Sequence, residues 1–355
     1  MRSRYYYLIA LASLVLIILW LHIALLLPPH NLGGIGAIFV TLTSANLFWL
    51  LPAFGLFAIA YILRAVRWWV LLRPFNTKGT AINLFPVLVG GIFLTYVVPL
   101  RAGDIATPYW LREKTGTRFT AGLSSILLAR FLDFASLALI IVISAFLLFG
   151  ALTGQALWFL SIGIVLGVVF IAFFILIRNE KFVTWLSGML GRLFKPSNTL
   201  KEEVPAFVEN FAVDMRKDIG SWNSGLALLL SVPLWVIETF KLTFLALAFG
   251  QTISLLDSVF ISALSYTGGH LLGFLLPAGI GIFVLQIVGI TTFLETIPGI
   301  THTVGIALLD GLIYIIGLSI LGVPSLATMG REYRRFQEPE EPTTLEENPS
   351  PREAG

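Results

Sequence analysis

Arg101 and Asp104 stand three residues apart in the segment Pro99-Leu100-Arg101-Ala102-Gly103-Asp104, directly after an uncharged run from Thr80 to Leu100. An arginine so placed can clamp a phosphate through two parallel hydrogen bonds, and Asp104 can hold that arginine or face an amine. Two more pairs occur at the same spacing inside apolar stretches, Arg130 with Asp133 and Glu238 with Lys241. Residues three apart share a helix face, so each reads first as an internal ion pair. Asp310 has no partner nearby in sequence and must meet Arg101, Arg130 or Lys241, or carry a proton. Charged groups at depth in lipid are costly and mark pathways or internal pairs. Other chemistries find no support. There is no cysteine, and His22, His30, His270 and His302 lack metal-ligand spacing. Gly-x-Ser-x-Gly, Gly-Lys-Ser/Thr and Gly-x-Gly-x-x-Gly motifs are missing. No metal, cofactor or catalytic residue is expected.

The elements that must hold these charges are membrane helices. Only 12% of the 355 residues are charged and 57% are hydrophobic, against about 25% charged in soluble domains. The fold expected is therefore all-α and polytopic. Tyr5 to Leu27, Asn46 to Leu63, Phe119 to Gly150, Ala156 to Ile177, Trp222 to Gly250 and Thr301 to Pro324 read as six spans. Basic residues follow the second span (Arg64, Arg67, Arg73, Lys78) and precede the third (Arg101, Arg112, Lys114, Arg118). Both loops are then cytoplasmic, and the stretch between them enters and returns without crossing. Ser254 to Ile297 reads as a second such re-entrant segment, entered from outside; counting every apolar run as a crossing gives eight or nine spans instead. Residues 180–219 form two cytoplasmic amphipathic helices, one on Phe182, Trp185, Leu186, Met189, Leu190 and Leu193, the other on Leu200, Val204, Phe207, Val208, Phe211 and Met215. Residues 1–335 make the membrane domain, and residues 336–355 an acidic disordered cytoplasmic tail. The net charge of +3 divides into +8 on the body and −5 on the tail, which points to anionic lipid headgroups and not to nucleic acid.

The two re-entrant segments share a pattern. Gly90-Gly91, seven residues, Pro99, three residues, Gly103 matches Gly268-Gly269, seven residues, Pro277, three residues, Gly281. One copy opens to the cytoplasm and the other outside, which is inverted-repeat symmetry; in transporters, paired Gly/Pro-interrupted segments mark the substrate site. The plainer role for these glycines is close helix packing.

With these residues in hand, the chain resembles the lysylphosphatidylglycerol synthase transmembrane-domain family, the flippase-like membrane portion of multiple peptide resistance factors, over most of residues 5 to 330. The likeness rests on Arg64-Ala-Val-Arg67-Trp68-Trp69, Gly91 to Asp104, Arg130-Phe-Leu-Asp133 and Pro277-Ala-Gly279-Ile-Gly281. It implies lipid translocation between leaflets, with the re-entrant segments forming the headgroup site. The chain departs from the family where Asp104, Thr107, Ala129, Val284 and Asp310 replace the usual Glu, Arg, Glu, Glu and Arg, and it carries no soluble aminoacyl-transferase domain.

The function expected is translocation of a polar lipid or lipid-linked molecule across the cell (inner) membrane by a multi-pass protein with both termini cytoplasmic. Its site comprises Gly90, Gly91, Pro99, Arg101, Gly103, Asp104, Gly268, Gly269, Pro277, Gly279 and Gly281, with Arg130, Asp133, Glu238, Lys241 and Asp310 as intramembrane charges. Two rivals stand beside it: an intramembrane lipid-headgroup or glycosyl transferase, and a non-catalytic membrane partner of a lipid synthase. A lipid-modifying enzyme partner and a homo-oligomer are both left open.

Overall fold

The computed structural model describes residues 40–98, 100–149, 154–193, 198–273, 278–294 and 299–335. The first expected span, the acidic tail, His22, His30, Pro99 and Pro277 lie outside them. Among the described residues there are helices and no strands. The chain is an all-α polytopic membrane protein, and four of the described helices are long and apolar enough to cross a bilayer.

In chain order the helices are α1 (Leu50–Leu72), α2 (Ala81–Val97), α3 (Ala102–Thr115), α4 (Phe119–Phe149), α5 (Gly154–Arg178) and α6 (Glu180–Leu193). There follow α7 (Asn198–Ile219), α8 (Trp222–Ala248), α9 (Leu255–Leu272), α10 (Ala278–Phe293) and α11 (Gly299–Arg335). Side chains from α1, α2, α8, α9 and α11, among them Phe57, Phe93, Trp235, Tyr266 and Tyr314, meet in one core. The last helix runs through Pro324, where the sequence suggested an end. Proline removes one backbone donor but leaves its own carbonyl free to accept, and α11 continues to Arg335.

Two expectations need correction. The second span does not stop at Leu63. The helix continues to Leu72, and Arg64 and Arg67 are buried inside the bundle; Trp68 is buried too, with its indole N–H on Ser125 Oγ at 3.0 Å. Their long side chains find carboxylates on neighbouring helices, which satisfies charges that a sequence reading assigns to water. Nor does the segment expected to be re-entrant end at Leu100. The chain breaks there and returns as α3, so Arg101 lies at a hairpin tip and only Arg112, Lys114 and Arg118 belong to the basic end. Thr117 Oγ1 donates to Thr77 Oγ1 at 3.1 Å, joining the start and finish of the α2–α3 hairpin.

The glycines of the matched pattern make the same close approach in both hairpins. Across the α2–α3 hairpin, a Cβ on Gly91 would strike Thr107 Oγ1, and one on Gly103 would lie 2.8 Å from the Gly91 carbonyl carbon. Across α9–α10, a Cβ on Gly269 would lie 2.6 Å from the Ile282 nitrogen, and one on Gly281 would lie 3.0 Å from the Gly269 Cα. In both hairpins the second glycine of the pair meets the last glycine of the motif.

The hairpins point in opposite directions. Helix α4, 31 residues long and therefore about 46 Å, begins beside the open end of α2–α3. At its other end, Phe149 packs on Phe260 and Phe293 with ring centroids 5.5 and 6.1 Å away, which is the open end of α9–α10. Packing repeats with the same swap: α2 lies on α11 while α9 lies on α4, and α1 lies on α8. The last two run antiparallel, since the Asn46 N–H donates to the Ala248 carbonyl at 2.7 Å while Arg67 reaches Ser231 at 2.9 Å.

The amphipathic helices α6 and α7 pack on each other, and α7 caps α4. Arg118 and Thr120 both donate to Asp214, at 2.5 and 2.6 Å. One turn on, Asp218 is fully buried and neither of its carboxylate oxygens accepts a hydrogen bond. Burial, and then the neighbouring Asp214 charge, push its carboxyl up to about 8.

Replacing Gly269 with alanine therefore forces backbone apart in the second hairpin and should cost about 1–3 kcal/mol, read as a lowered unfolding midpoint. At Gly55, which has open space around it, alanine should cost nothing. Folded Asp218 keeps a proton that the unfolded chain releases near the ordinary carboxylate value. Stability should accordingly fall as pH rises from about 4 to about 8, and Asp218→Asn should flatten that part of the thermal-unfolding profile.

Candidate functional site

The turn at Leu100 and Arg101 meets the end of α9, and the end of α2 meets the start of α10. Leu100 and Arg101 both have positive φ, 61° and 52°, a conformation that costs non-glycine residues about 1–3 kcal/mol each. This strained turn makes Arg101 the N-cap of α3 and aims its side chain at the opposite tip. There its Nη1 donates to the His270 carbonyl at 2.9 Å, while its Nε donates to Asp104 Oδ2 at 2.7 Å. Gly279, at the start of α10, lies against the Tyr96 ring of α2. A cavity of about 30 Å3 remains between the tips, with Arg64, Arg101 and Arg130 in its wall together with Tyr61, Tyr96 and Tyr314. A second, of about 20 Å3, continues past Arg64 and Arg130 to Arg67. Each has room for water alone.

Every carboxylate at this level meets a cation. Asp133 accepts from Arg67 at 2.5 Å and from the Trp235 indole at 2.9 Å, with Arg130 at 3.5 Å. Asp104 bridges Arg101 and Arg130, the latter at 2.8 Å. Glu238 takes Lys241 at 2.7 Å, Arg64 at 3.5 Å and the Tyr314 hydroxyl. Asp310 is held by Lys241 at 3.2 Å, by the Gln286 amide at 3.2 Å and by the Tyr266 hydroxyl at 3.3 Å. Lys241 is thus the partner Asp310 required. Arg130–Asp133 and Glu238–Lys241 form as internal pairs, but each also reaches a third group, so two sets of ion pairs form, one over α1, α3 and α4 and the other over α1, α8 and α11, with Trp235 between them, its indole on Asp133 and its ring under Arg64.

Five cations (Arg64, Arg67, Arg101, Arg130, Lys241) face four carboxylates here, leaving a positive excess among the described residues. Arg64, Arg67 and Arg130 each keep a buried Nε with no hydrogen bond. Such a cluster is poor material for stability, since desolvating charges offsets their mutual attraction. It is suited to accepting an anion.

Sequence reasoning missed Arg64, Arg67 and the tyrosines of this wall. The signal was available for the charges: Arg64 and Lys241 are 177 residues apart, as are Asp133 and Asp310, close to the 178 that separates Gly91 from Gly269. Lys241 bridges Asp310 in the second half, whereas in the first Asp133 is bridged by Arg67 and Arg64 turns to Glu238. The predicted glycines split by role. Gly91, Gly103, Gly269 and Gly281 bring hairpin limbs together, Gly268 packs against Leu285, and Gly90 is buried within α2. His270 lines the cavity, with its Nδ1 2.6 Å from the Tyr266 carbonyl.

Asparagine at Asp133 would leave Arg67 and Arg130 buried beside a neutral group. A loss of about 3–5 kcal/mol is expected, read by detergent unfolding. Asp104→Asn, at a carboxylate 18% exposed, should cost less.

A protein described as "UPF0104 membrane protein" from Methanothermobacter thermautotrophicus (strain Delta H) is 25% identical over 346 residues, covering 91% of this chain and 93% of that one. No solved structure matches the chain. The lysylphosphatidylglycerol synthase transmembrane region matches residues 5–322, and the chain belongs to that family.

Proposed function

We propose that this protein moves a lipid with an anionic headgroup between membrane leaflets. The observation that carries the proposal is the cation excess around a cavity where two oppositely directed hairpins meet. Limbs of 14 to 18 residues are about 21–27 Å long, shorter than the ~30 Å apolar core of a bilayer, so each hairpin reaches the interior without spanning. Helices α3 and α10 both begin at the tips, which adds the positive ends of two helix dipoles to the arginines. In this reading Arg101 and Arg64 hold the headgroup phosphate, the acyl chains stay in lipid, and alternate parting of the two hairpins exposes the site to each leaflet. Arg73, Lys78, Arg112, Lys114 and Arg118 gather at the open end of the first hairpin, which fits a cytoplasmic face in the cell membrane.

Asp104, Asp133, Glu238 and Asp310 are each engaged by arginine or lysine, which favours binding over the acid–base chemistry of a headgroup transferase. In proteoliposomes, fluorescent phosphatidylglycerol should cross faster than phosphatidylcholine. Arg101→Ala removes a charge-assisted contact of roughly 1.5–3 kcal/mol, so its rate should fall about 10- to 100-fold. An unchanged rate would remove Arg101 from the mechanism.

A further inference from the structure

The charges of the central network are unequally divided between the two halves of the chain. The first half brings Arg64, Arg67, Arg101 and Arg130 against Asp104 and Asp133. The second brings Lys241 against Glu238 and Asp310. One ion pair joins the two sets among the described residues, Arg64 to Glu238. At 3.5 Å it is longer than the nearest carboxylate contact of any other cation in the network: 2.5 Å for Arg67, 2.7 Å for Arg101, 2.8 Å for Arg130 and 2.7 Å for Lys241. Arg64 is held instead by aromatic faces, Trp235 at 4.5 Å and Tyr61 at 5.5 Å from the guanidinium carbon, and it lines both cavities. It is the cation most easily drawn to an anion, and the one whose movement leaves a carboxylate behind.

From this we infer that the Glu238–Lys241–Asp310 cluster is a proton site, which takes up one proton when an anion binds between the hairpin tips and engages Arg64. The inference rests on the headgroup reading above. Without Arg64, two carboxylates share one lysine in a buried, lipid-surrounded setting, where two neighbouring carboxylates do not both stay ionised. Among the described residues the surroundings offer no other compensating charge. On α8 the facing groups are Glu238 and Lys241; on α9, Tyr266 and, across the cavity, His270, whose Nδ1 is already engaged by the Tyr266 carbonyl; on α10, Gln286; on α11, Asp310 and Tyr314; on α2, Tyr96; on α1, Tyr61 and Arg64. Helix α4 supplies Arg130 and Asp133, already bound to each other and to Asp104 and Arg67. The cluster is also ready for a hydrogen. Asp310 Oδ1 has the Lys241 ammonium at 3.2 Å, but no hydrogen bond is directed at it. Gln286 Oε1, on the residue whose amide nitrogen binds Asp310, is likewise a buried acceptor without a donor. A proton on Asp310 supplies a donor to a group of acceptors. Anion and proton would then travel together, and a transmembrane pH difference would give the movement a direction.

Calorimetric titration of the full-length protein in detergent with dihexanoyl phosphatidylglycerol, at pH 7 in Tris and again in HEPES, separates the outcomes. The two buffers differ in ionisation heat, so the difference in binding heat counts protons. The expectation is uptake of about one proton per lipid bound by the wild type, falling close to zero in Asp310→Asn and in Glu238→Gln, either of which leaves one carboxylate for Lys241. Binding with the same heat in both buffers would overturn the proton site and leave the headgroup site standing. Uptake that persists in both variants would overturn its assignment to this cluster. Absence of binding would overturn the headgroup reading and this inference with it.

Discussion

Among the described residues nine ionisable side chains share the interior of this bundle, and a low-dielectric interior tolerates a charge only when something answers it. That demand ties the helices together. Asp133 requires Arg67 from α1 and Arg130 from its own turn; Asp104 requires Arg101 and Arg130; Glu238 and Asp310 divide Lys241, with Arg64 and three neutral donors completing the shell. Apolar packing alone would let the helices slide, because side chains and lipid tails are equally apolar. The ion pairs fix the register, and the excess cation leaves the register with a use.

The second requirement is that backbone be broken at depth without leaving polar groups stranded. The first hairpin meets it by burying Arg101 at its turn against protein, as irregular backbone within a membrane must. Glycine contacts let the limbs approach closely enough for that, and the consecutive left-handed residues Leu100 and Arg101 turn the chain while giving Arg101 a fixed direction. Strain at the tip and charge at the centre are therefore linked. The Asp104 and His270 contacts that hold the Arg101 side chain also stabilise the turn that presents it.

Much of this was legible in the amino-acid order, in an uneven way. The repeated glycine and proline spacing announced two hairpins because close helix approach admits so few residue types. The return limb Ala102–Thr115 was not legible. Its Asp104, Arg112, Glu113 and Lys114 read as a water-exposed loop, yet the first sits at the protected tip and the others at the exposed end. Arg64 and Arg67 misled for a related reason. Basic residues beside Trp68 and Trp69 mark a membrane interface in isolation, and only the carboxylates of α4 and α8, more than 60 residues away, make them internal. Long-range pairing cannot be read from local composition. The near-constant separation of 177 or 178 residues records the repeat and not these pairings, since Arg67 meets Asp133 across 66 residues and Arg64 meets Glu238 across 174.

Inverted hairpins meeting at a charged centre are the claim on which the rest stands, and side-specific labelling reaches it most directly, since the chain has no native cysteine. Single cysteines at Asn76 and Thr115, flanking the first hairpin, and at Thr252 and Thr292, flanking the second, would be exposed to a membrane-impermeant reagent from each side of oriented vesicles. The account predicts that Asn76 and Thr115 label from one face and Thr252 and Thr292 from the other. Labelling of Asn76 and Thr115 from opposite faces would contradict it, for the first hairpin would then contain a crossing.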